Sequence, residues 1–286
     1  MRIPQQQVDW PASWQMSWTY DQRELVGIDG HRAYRHGYQS RKRVLIDLVR
    51  ACCPPGGRVL DVAAAQGTMS LELAEAGFEV TWNDLRADLA DYVAMKHEHG
   101  WLEYRPGNIL DADTGADTAD TFDVVLAAEI LEHVAHPDEL LSRLATRVRP
   151  GGALVISTPN GANALSRLPT FSQIADPTLL ESEQFKPNAD GHLFLLTAAE
   201  LEQMARAAGL HVERIDFCQT YAAHAVERVW ARSLRRELVQ RLMRGLDRQL
   251  LRLPLARERL AVQLVAVFRP NGTAVHGPEA NADARP

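Results

Sequence analysis

The sequence is poor in cysteine, and its hydrophobic residues form no long uninterrupted run. Its 286 residues include only Cys52, Cys53 and Cys218, and their spacing matches neither a disulfide framework nor a zinc site. We therefore expect a reducing, cytoplasmic environment. No uncharged stretch approaches the roughly 20 residues that span a bilayer, and the polar, tryptophan-containing N-terminus is unlike a secretory signal.

Two nucleotide-binding signatures are also missing. Without a GxGxxG turn a dinucleotide-dependent oxidoreductase is disfavoured, and without a P-loop lysine so is phosphoryl transfer. The formal net charge of −6 argues against a domain that binds nucleic acid through its overall charge. No spacing of cysteine and histidine indicates a bound metal.

The chain does contain a regular alternation of short apolar runs with helical patterns. The apolar runs predict strands at 58–62, 78–82, 102–104, 122–126, 153–157, 212–217 and 260–268. Apolar residues at helical spacing predict helices at 34–50, 68–76, 85–99, 137–148 and 197–208. This order predicts an α/β fold, a doubly wound, mostly parallel Rossmann-like sheet with an antiparallel closing strand and a helical insert.

The chain divides into segments of different character. Residues 1–33 look irregular and form an N-terminal arm, whose three tryptophans either pack against the domain or wall a pocket. The domain spans residues 34–270. Within it, residues 160–192 form a long loop of the kind that serves as a lid, and residues 222–256 form the helical insert. Residues 271–286 have the composition of a disordered tail.

Two carboxylates follow neighbouring predicted strands. Asp61 closes the first strand, and a turn of small residues then opens a helix, namely Ala63, Ala65, Gln66 and Gly67. Such a turn lets the backbone approach a ligand closely, although a purely structural turn is the alternative. Asp84, at the end of the second strand, is either an exposed N-cap or the acceptor for both hydroxyls of a ribose. Together the two motifs predict an adenosine-containing cofactor.

These motifs occur in the order seen in a known family. Residues 58–160 resemble the class I S-adenosylmethionine-dependent methyltransferases, and especially the branch that includes the ubiquinone-biosynthesis O-methyltransferases. The resemblance rests on the segments 61–67, 84, 108–110, 129–134, 149–152 and 157–160, followed by Gly191, His192, Phe194 and Thr197. The chain departs from the family pattern at Ala63 and Ala65, where glycine is usual.

The resemblance implies S-adenosylmethionine as cofactor and assigns residues to it. The 61–67 turn would lie under the methionine part and the ribose, and Asp84 would hold the ribose. The adenine would be flanked by Leu85, Asn108 and Ile109. Glu129 would face the methyl-donor end. The helix after the N-terminal arm would close over the cofactor and offer its carboxylate four side chains, Tyr34, His36, Tyr38 and Arg41; plain surface positions are the alternative.

Histidine suits the role of a base in methyl transfer to a hydroxyl, because a base with a pKa near neutrality works best. His133 and His192 are the candidates, with a packing role for His133 and a loop hydrogen bond for His192 as alternatives. The expected reaction is O-methylation of a small-molecule phenol, quinol or sugar. N- or C-methylation and a binding module without catalysis are the other possibilities.

Residues 226–252 combine an apolar stripe at every fourth position with many arginines. The stripe predicts one long helix, serving as a cap or homodimer surface, or as an interfacial helix on anionic lipid. A lipid-linked acceptor would explain the interfacial role. We expect no nucleic-acid contact, because basic and aromatic residues do not alternate there.

Overall fold

The computed structural model describes residues 1–27, 32–109, 121–184, 191–221, 236–253 and 257–271. The strands are β1 (Arg58–Val62), β2 (Glu79–Trp82), β3 (Trp101–Tyr104), β4 (Phe122–Ala128), β5 (Val148–Pro159), β6 (Leu210–Thr220) and β7 (Ala261–Pro270). The α-helices are α1 (Ala12–Asp21), α2 (Arg32–Cys52), α3 (Thr68–Glu75), α4 (Leu89–Lys96), α5 (Pro137–Thr146), α6 (Ala198–Ala207), α7 (Arg236–Leu250) and α8 (Arg257–Leu260). Shorter helical turns cover Gln22–Val26, Leu131–His133, Phe171–Gln173 and Pro177–Glu183.

The strands form one sheet in the order β3-β2-β1-β4-β5-β7-β6. Neighbours from β3 to β5 pair in parallel, whereas β7 is antiparallel to both β5 and β6. The predicted mostly parallel, doubly wound sheet with an antiparallel closing strand is thereby confirmed. The strand order reverses between β1 and β4, and in such sheets this point opens a crevice at the carboxyl ends of the strands.

Both faces of the sheet are covered, because its central strands are apolar on both sides. Val59 of β1 belongs to the core cluster that contains Leu45 of α2. Leu60, the next residue, belongs to the cluster on the other face with Leu141 of α5 and Leu201 of α6. All five side chains are completely buried. The two helical layers therefore fix the carboxyl end of β1, where the predicted site begins.

The prediction of an irregular N-terminal arm is wrong for residues 12–26, whereas residues 1–11 form neither helix nor strand. Residues 12–26 are helical, first as α1 and then as the turn Gln22–Val26. Trp14 and Trp18 of α1 are spaced by four, which places them on one helix face, and Trp10 precedes the helix. Trp10 and Trp14 pack edge to face at a centroid distance of 6.0 Å, and Trp10 packs on Tyr92 of α4 at 5.8 Å. Of the two roles expected for the tryptophans, packing is the one these contacts show.

The helix predicted at 85–99 is also shorter than expected, since α4 begins at Leu89 and ends at Lys96. The Asp84 carboxylate accepts the backbone N–H of Arg86 at 3.0 Å. A side chain that bonds its own backbone two residues on stabilises a turn in place of the first turn of a helix. Helix α6 begins close to the predicted position, and Thr197 and Glu200 form a capping box at its start.

The remaining predicted segments are described only in part. Residues 160–184 of the predicted lid contain two short helical turns, and the loop is held by isolated bridges from Asn160 to Leu196 and from Thr170 to Leu195. Residues 185–190 of that loop, 222–235 and 254–256 of the insert, and 272–286 of the tail lie outside the described residues. Among the described residues, no helix combines the length and apolarity that crossing a bilayer requires.

The buried ammonium of Lys96 joins the N-terminal segment to the sheet domain. Its Nζ donates to Oδ1 of Asp21 at 2.7 Å, to the carbonyl oxygen of Gln66 at 2.8 Å and to Oγ1 of Thr68 at 3.4 Å. The other Asp21 oxygen accepts the Tyr92 hydroxyl at 2.7 Å. Lys96 and Asp21 are both 0% exposed, and burial lowers the pKa of Lys96 against the opposing effect of Asp21.

We expect Lys96→Met to lower the free energy of unfolding by about 3–5 kcal/mol, because it leaves the Asp21 charge buried without its partner. The double variant Asp21→Asn/Lys96→Met should recover a large part of this loss, since both charges are then absent. Denaturant unfolding of the four proteins gives the coupling energy. Lys42→Met is the control, because the Lys42–Glu72 pair is partly exposed, and it should cost no more than about 1 kcal/mol. A similar small loss for Lys96→Met would contradict the prediction.

Candidate functional site

The predicted site residues meet at the carboxyl edge of the sheet. The backbone N–H of Ala64, after β1, donates to the carbonyl of Asn83, after β2, at 2.8 Å. The N–H of Glu129, after β4, donates to the carbonyl of Ser157 in β5 at 2.9 Å. These bonds join the loops of neighbouring strands into one surface beside the crevice.

The turn after β1 is sharply bent. Ala63, Ala65 and Gly67 have φ angles of 54°, 48° and 69°, all in the left-handed region. This conformation costs roughly 1–2 kcal/mol at a residue with a Cβ, so glycine would be favoured at all three positions. At Gly67 a Cβ would also lie 2.7 Å from a methyl of Val93. The two alanines therefore adopt, with strain, the conformation that glycine adopts without it.

Asp61 ends up buried under this turn. Its Oδ2 accepts the Ser70 hydroxyl at 2.5 Å, whereas Oδ1 is buried and accepts no hydrogen bond from any described residue. Burial raises the pKa of Asp61 to about 7, against the lowering effect of Ser70. A buried carboxylate oxygen without a donor is uncommon in folded proteins and calls for a functional explanation.

Asp84 holds the same turn from the side of β2. Its Oδ2 accepts the backbone N–H of Ala65 at 2.9 Å. The Arg86 side chain also bonds both carboxylate oxygens, at 2.9 Å from Nε and 3.1 Å from the second guanidinium nitrogen. Asp84 is buried but the Arg86 side chain is 50% exposed. Leu85 between them is exposed on the surface of the same loop.

Asn108 and Ile109 follow β3 and lie next to this loop. The N–H of Gly107 donates to the carbonyl of Asp84 at 2.8 Å, which brings the two loops together. Asn108 is exposed. Ile109 instead packs into the core, and its carbonyl accepts a bond from Arg147. Of the three residues predicted to flank an adenine, Leu85 and Asn108 are therefore the accessible ones.

Two acidic residues of the N-terminal segment, Asp21 and Glu24, belong to the site although the sequence did not indicate them. Glu24 is buried, and its Oε2 accepts the side-chain N–H of Gln66 at 2.7 Å. Its Oε1 accepts the Tyr34 hydroxyl at 3.3 Å. Burial raises the pKa of Glu24 to about 7, while Arg41 and Gln66 lower it. The one feature of the sequence that could have pointed to these acids is that they follow Trp14 and Trp18 of α1.

Helix α2 contributes Tyr38 and Arg41. Tyr38 is buried, its hydroxyl bonds Thr68, and burial raises its pKa well above the usual range. The Arg41 guanidinium lies 5.7 Å from the Tyr38 ring centroid and donates to Oε2 of Glu129 at 3.1 Å. Glu129, in a left-handed conformation with φ of 55°, also accepts bonds from Ser157 and Gln263. Arg41 thus connects the N-terminal wall of the site to the loop after β4.

His36 is the exception among the predicted residues of α2. Its Nε2 lies 3.1 Å from Oδ2 of Asp247 in α7, on the opposite side of the helix from Tyr38 and Arg41. His36 therefore does not reach the site.

The structure brings the two predicted catalytic histidines together. The rings of His133 and His192 lie 5.0 Å apart at a steep angle. Each Nε2 is 4.0 Å from Oε1 of Glu132, a buried atom that accepts no hydrogen bond within the described ranges. The other Glu132 oxygen accepts the Thr158 hydroxyl at 3.0 Å. Burial, reinforced by Glu129, raises the pKa of Glu132 well above its ordinary value.

These three side chains could hold a divalent cation, a possibility that the sequence did not indicate. One ligand atom of each lies within 4.8 Å of the others. Two imidazoles and a carboxylate are ligands suited to zinc and to other transition metals. The histidines are far apart in the sequence, and only the return of the loop after β5 places them side by side.

Comparison with known proteins agrees with this geometry. A family model described as a methyltransferase domain matches residues 34–215, well over half of the chain. The ubiquinone biosynthesis O-methyltransferase of Xanthomonas axonopodis pv. citri is 34% identical over 166 residues, which cover 57% of this chain and 66% of the relative. The chain therefore spans slightly less than two thirds of the length of this curated relative.

Solved structures share the fold at low sequence identity. The magnesium protoporphyrin IX methyltransferase from Synechocystis PCC 6803, solved with bound SAH, superposes with a TM-score of 0.51 at 13% identity and covers 89% of this chain and 99% of that one. The CcbJ methyltransferase from Streptomyces caelestis gives 0.52 at 18% identity and covers 92% and 94%. At these identities the likeness shows the fold alone.

The raised pKa of Glu24 predicts a pH-dependent stability. The unfolded carboxyl loses its proton near pH 4.5, whereas the folded one keeps it to about pH 7. Between these values the folded state binds the extra proton, so the contribution of Glu24 to stability decreases as the pH rises. Relative to Glu24→Gln, the wild-type free energy of unfolding should fall by about 3 kcal/mol across this window. Denaturant unfolding at a series of pH values measures this, and a constant difference would contradict it.

Proposed function

Because this chain belongs to the S-adenosylmethionine-dependent methyltransferase family, we propose that it transfers a methyl group to a hydroxyl oxygen of a small molecule. The observation that carries the proposal is a pair of buried carboxylates, Asp61 at the carboxyl end of β1 and Asp84 just after β2, which flank a backbone turn with left-handed residues. The acceptor we favour is a phenol or quinol, because the relative from Xanthomonas is named a ubiquinone biosynthesis O-methyltransferase. A sugar hydroxyl, or N- or C-methylation, is the alternative chemistry.

The residues present fit the cofactor. Oδ1 of Asp61 is buried without a donor and is suited to accept from the ammonium group at the methionine end. Asp84 is suited to accept from the ribose hydroxyls. Its four acceptor positions are already taken by Ala65 and Arg86. We therefore propose that the ribose hydroxyls replace the two bonds from the exposed Arg86 side chain, while the Ala65 bond stays.

S-adenosylmethionine supplies a methyl group on a positively charged sulfur, which is already activated for transfer to a nucleophile. The protein has to orient the acceptor hydroxyl, exclude water and receive its proton. We propose that His133 and His192 receive this proton. One imidazole nitrogen takes it from the acceptor hydroxyl as the oxygen bonds to the methyl carbon and the carbon–sulfur bond breaks. A cation held by Glu132 and the two histidines would serve the same end, since it lowers the pKa of a bound hydroxyl.

The proposal extends to the partners of the chain. Leu238, Leu242 and Leu246 of α7 are 40–48% exposed on one face, with Arg241 and Arg248 on the same helix. This combination supports contact with an anionic lipid surface and hence a lipid-linked acceptor. A homodimer through the leucine face is the alternative, and the molar mass in solution distinguishes the two. The cytoplasmic location stays a prediction.

We expect Asp84→Asn to weaken binding of S-adenosylmethionine about 10- to 100-fold, because charge-assisted hydrogen bonds to the ribose are lost. The asparagine oxygen can still accept the Ala65 N–H, so the turn should remain folded. Arg86→Gln should bind at least as tightly as wild type, since its side chain competes for Asp84. Titration calorimetry gives the affinities, and Asp91→Asn, an exposed acid of α4, is the control. Unchanged affinity in Asp84→Asn would refute the assignment.

We expect His133→Gln and His192→Gln each to reduce kcat by about 10²–10⁴, with the affinity for S-adenosylmethionine unchanged. Radiolabelled methyl transfer to catechol and quinol acceptors measures kcat, and His211→Gln, an exposed histidine of β6, is the control.

A chelator separates the two roles of the histidines. Loss of turnover on dialysis against chelator, restored by a divalent cation, assigns His133 and His192 to a metal site. Full turnover in chelator assigns them to proton transfer. Undiminished turnover in both variants would rule out either role, and cofactor binding without turnover on any acceptor would favour a binding module.

A further inference from the structure

A cavity of about 140 Å³ lies between α2 and α7 and is separate from the proposed cofactor site. It is lined by Arg35, His36, Gln39, Ser40, Arg43 and Arg244. Five of these residues come from the face of α2 opposite to Tyr38 and Arg41, since positions 35, 36, 39, 40 and 43 cluster on one side of a helix with 3.6 residues per turn. The cavity therefore shares no lining residue with the machinery for methyl transfer.

Hydrogen bonds of Asp247 hold one wall of the cavity in place. The buried side chains of His36 and Asp247 are joined by the bond between Nε2 and Oδ2. The other Asp247 oxygen accepts the backbone N–H of Thr220 at 3.1 Å and also its hydroxyl. Both oxygens of this carboxylate are therefore already engaged, by His36 and Thr220. The rest of the lining consists of three guanidinium groups, the Gln39 amide and the Ser40 hydroxyl.

Two of the arginines have no acidic partner among the described residues. Neither Arg43 nor Arg244 forms an ion pair within the described part of the chain, and Asp47, one turn beyond Arg43 on α2, is exposed and not paired with it. Arg43 is exposed and Arg244 is half-buried, whereas Arg41 and Arg86 at the proposed cofactor site have the carboxylate partners Glu129 and Asp84. Several guanidinium groups around one small cavity repel each other unless an anion lies between them.

We propose that this cavity binds a phosphate group, carried either by a lipid headgroup or by a soluble phosphate compound. The planar guanidinium groups suit paired hydrogen bonds to the oxygens of a phosphate, and the Ser40 hydroxyl adds a neutral donor. On α7, Arg244 and Leu242 point about 200° apart, so the exposed leucine face does not line the cavity. The phosphate site is thus independent of the lipid contact through those leucines and of the methyltransferase activity.

The first experiment compares three full-length proteins, namely wild type, Arg43→Gln/Arg244→Gln and the control Arg50→Gln/Arg143→Gln, whose two arginines are exposed and lie outside both the cavity and α7. Both double variants lose two positive charges, but the control residues do not line the cavity. Inorganic phosphate, at about tenfold its dissociation constant and against chloride at matched ionic strength, should raise the melting midpoint of wild type and control by about 3 °C. It should leave Arg43→Gln/Arg244→Gln unchanged. An equal response in all three proteins, or none in any, would overturn the proposal.

Without phosphate, Arg43→Gln/Arg244→Gln should melt higher than wild type, because the repulsion between the guanidinium groups is relieved. A lower midpoint would show that the arginines stabilise the fold through other contacts and would count against an anion site.

The second experiment identifies the source of the phosphate. Flotation with vesicles of phosphatidylglycerol and phosphatidylcholine is compared with flotation on phosphatidylcholine alone. If a lipid headgroup is the ligand, the wild type and the control float with the anionic vesicles, Arg43→Gln/Arg244→Gln floats less, and inorganic phosphate competes. If flotation is equal in the two double variants while inorganic phosphate still stabilises only the wild type and control, the ligand is a soluble phosphate compound.

Discussion

The buried pair between Lys96 and Asp21 is the contact on which the arrangement of the site depends. Removing an ammonium from water costs several kcal/mol, and only good geometry with several acceptors offsets this. Lys96 has three acceptors, which belong to the N-terminal segment, the turn after β1 and the start of α3. One cation therefore fixes three chain segments relative to each other. Glu24 follows Asp21 by three residues and is thereby placed within hydrogen-bond distance of the Gln66 side chain. The N-terminal segment therefore forms one wall of the site.

The turn after β1 is held in its strained conformation by the end of β2. The backbone N–H of Ala65 bonds Asp84, and its carbonyl accepts the indole N–H of Trp82 at 3.1 Å. Both polar groups of one peptide residue are thus fixed by side chains two positions apart. This clamp explains how alanine is tolerated where the conformation favours glycine. It also gives Asp84 two roles, one in shaping the turn and one proposed in holding the cofactor, which is why asparagine is a better test than alanine.

The strands and their order in the sheet could be predicted from the sequence, whereas the helices and loops that surround the site could not. Buried parallel strands such as β1 and β4 are continuous apolar runs, and their order along the chain leaves few topologies. Asp61 and Asp84 could be placed because the first lies near the end of the apolar run of β1 and the second just after β2, both at the carboxyl edge of the sheet. Helix α1 was missed since its apolar signal consists of tryptophans among polar residues, and α4 was extended too far since the Asp84–Arg86 turn is a side-chain effect. The grouping of Glu132 with His133 and His192 depends on the path of the loop after β5, which no periodic pattern predicts.

The two faces of α2 separate charges that would otherwise interfere. On one face Arg41 is surrounded by the carboxylates of Glu24 and Glu129, and its charge is balanced where a positively charged methyl donor is proposed to bind. On the other face Arg35 and Arg43 line the cavity with Arg244 of α7, where Asp247 is already engaged by His36 and Thr220. An anion drawn to the second face is kept away from the first by the thickness of the helix. A cationic cofactor and a phosphate group can therefore bind the same protein without competing for the same charges, and α2 would contribute residues to both sites.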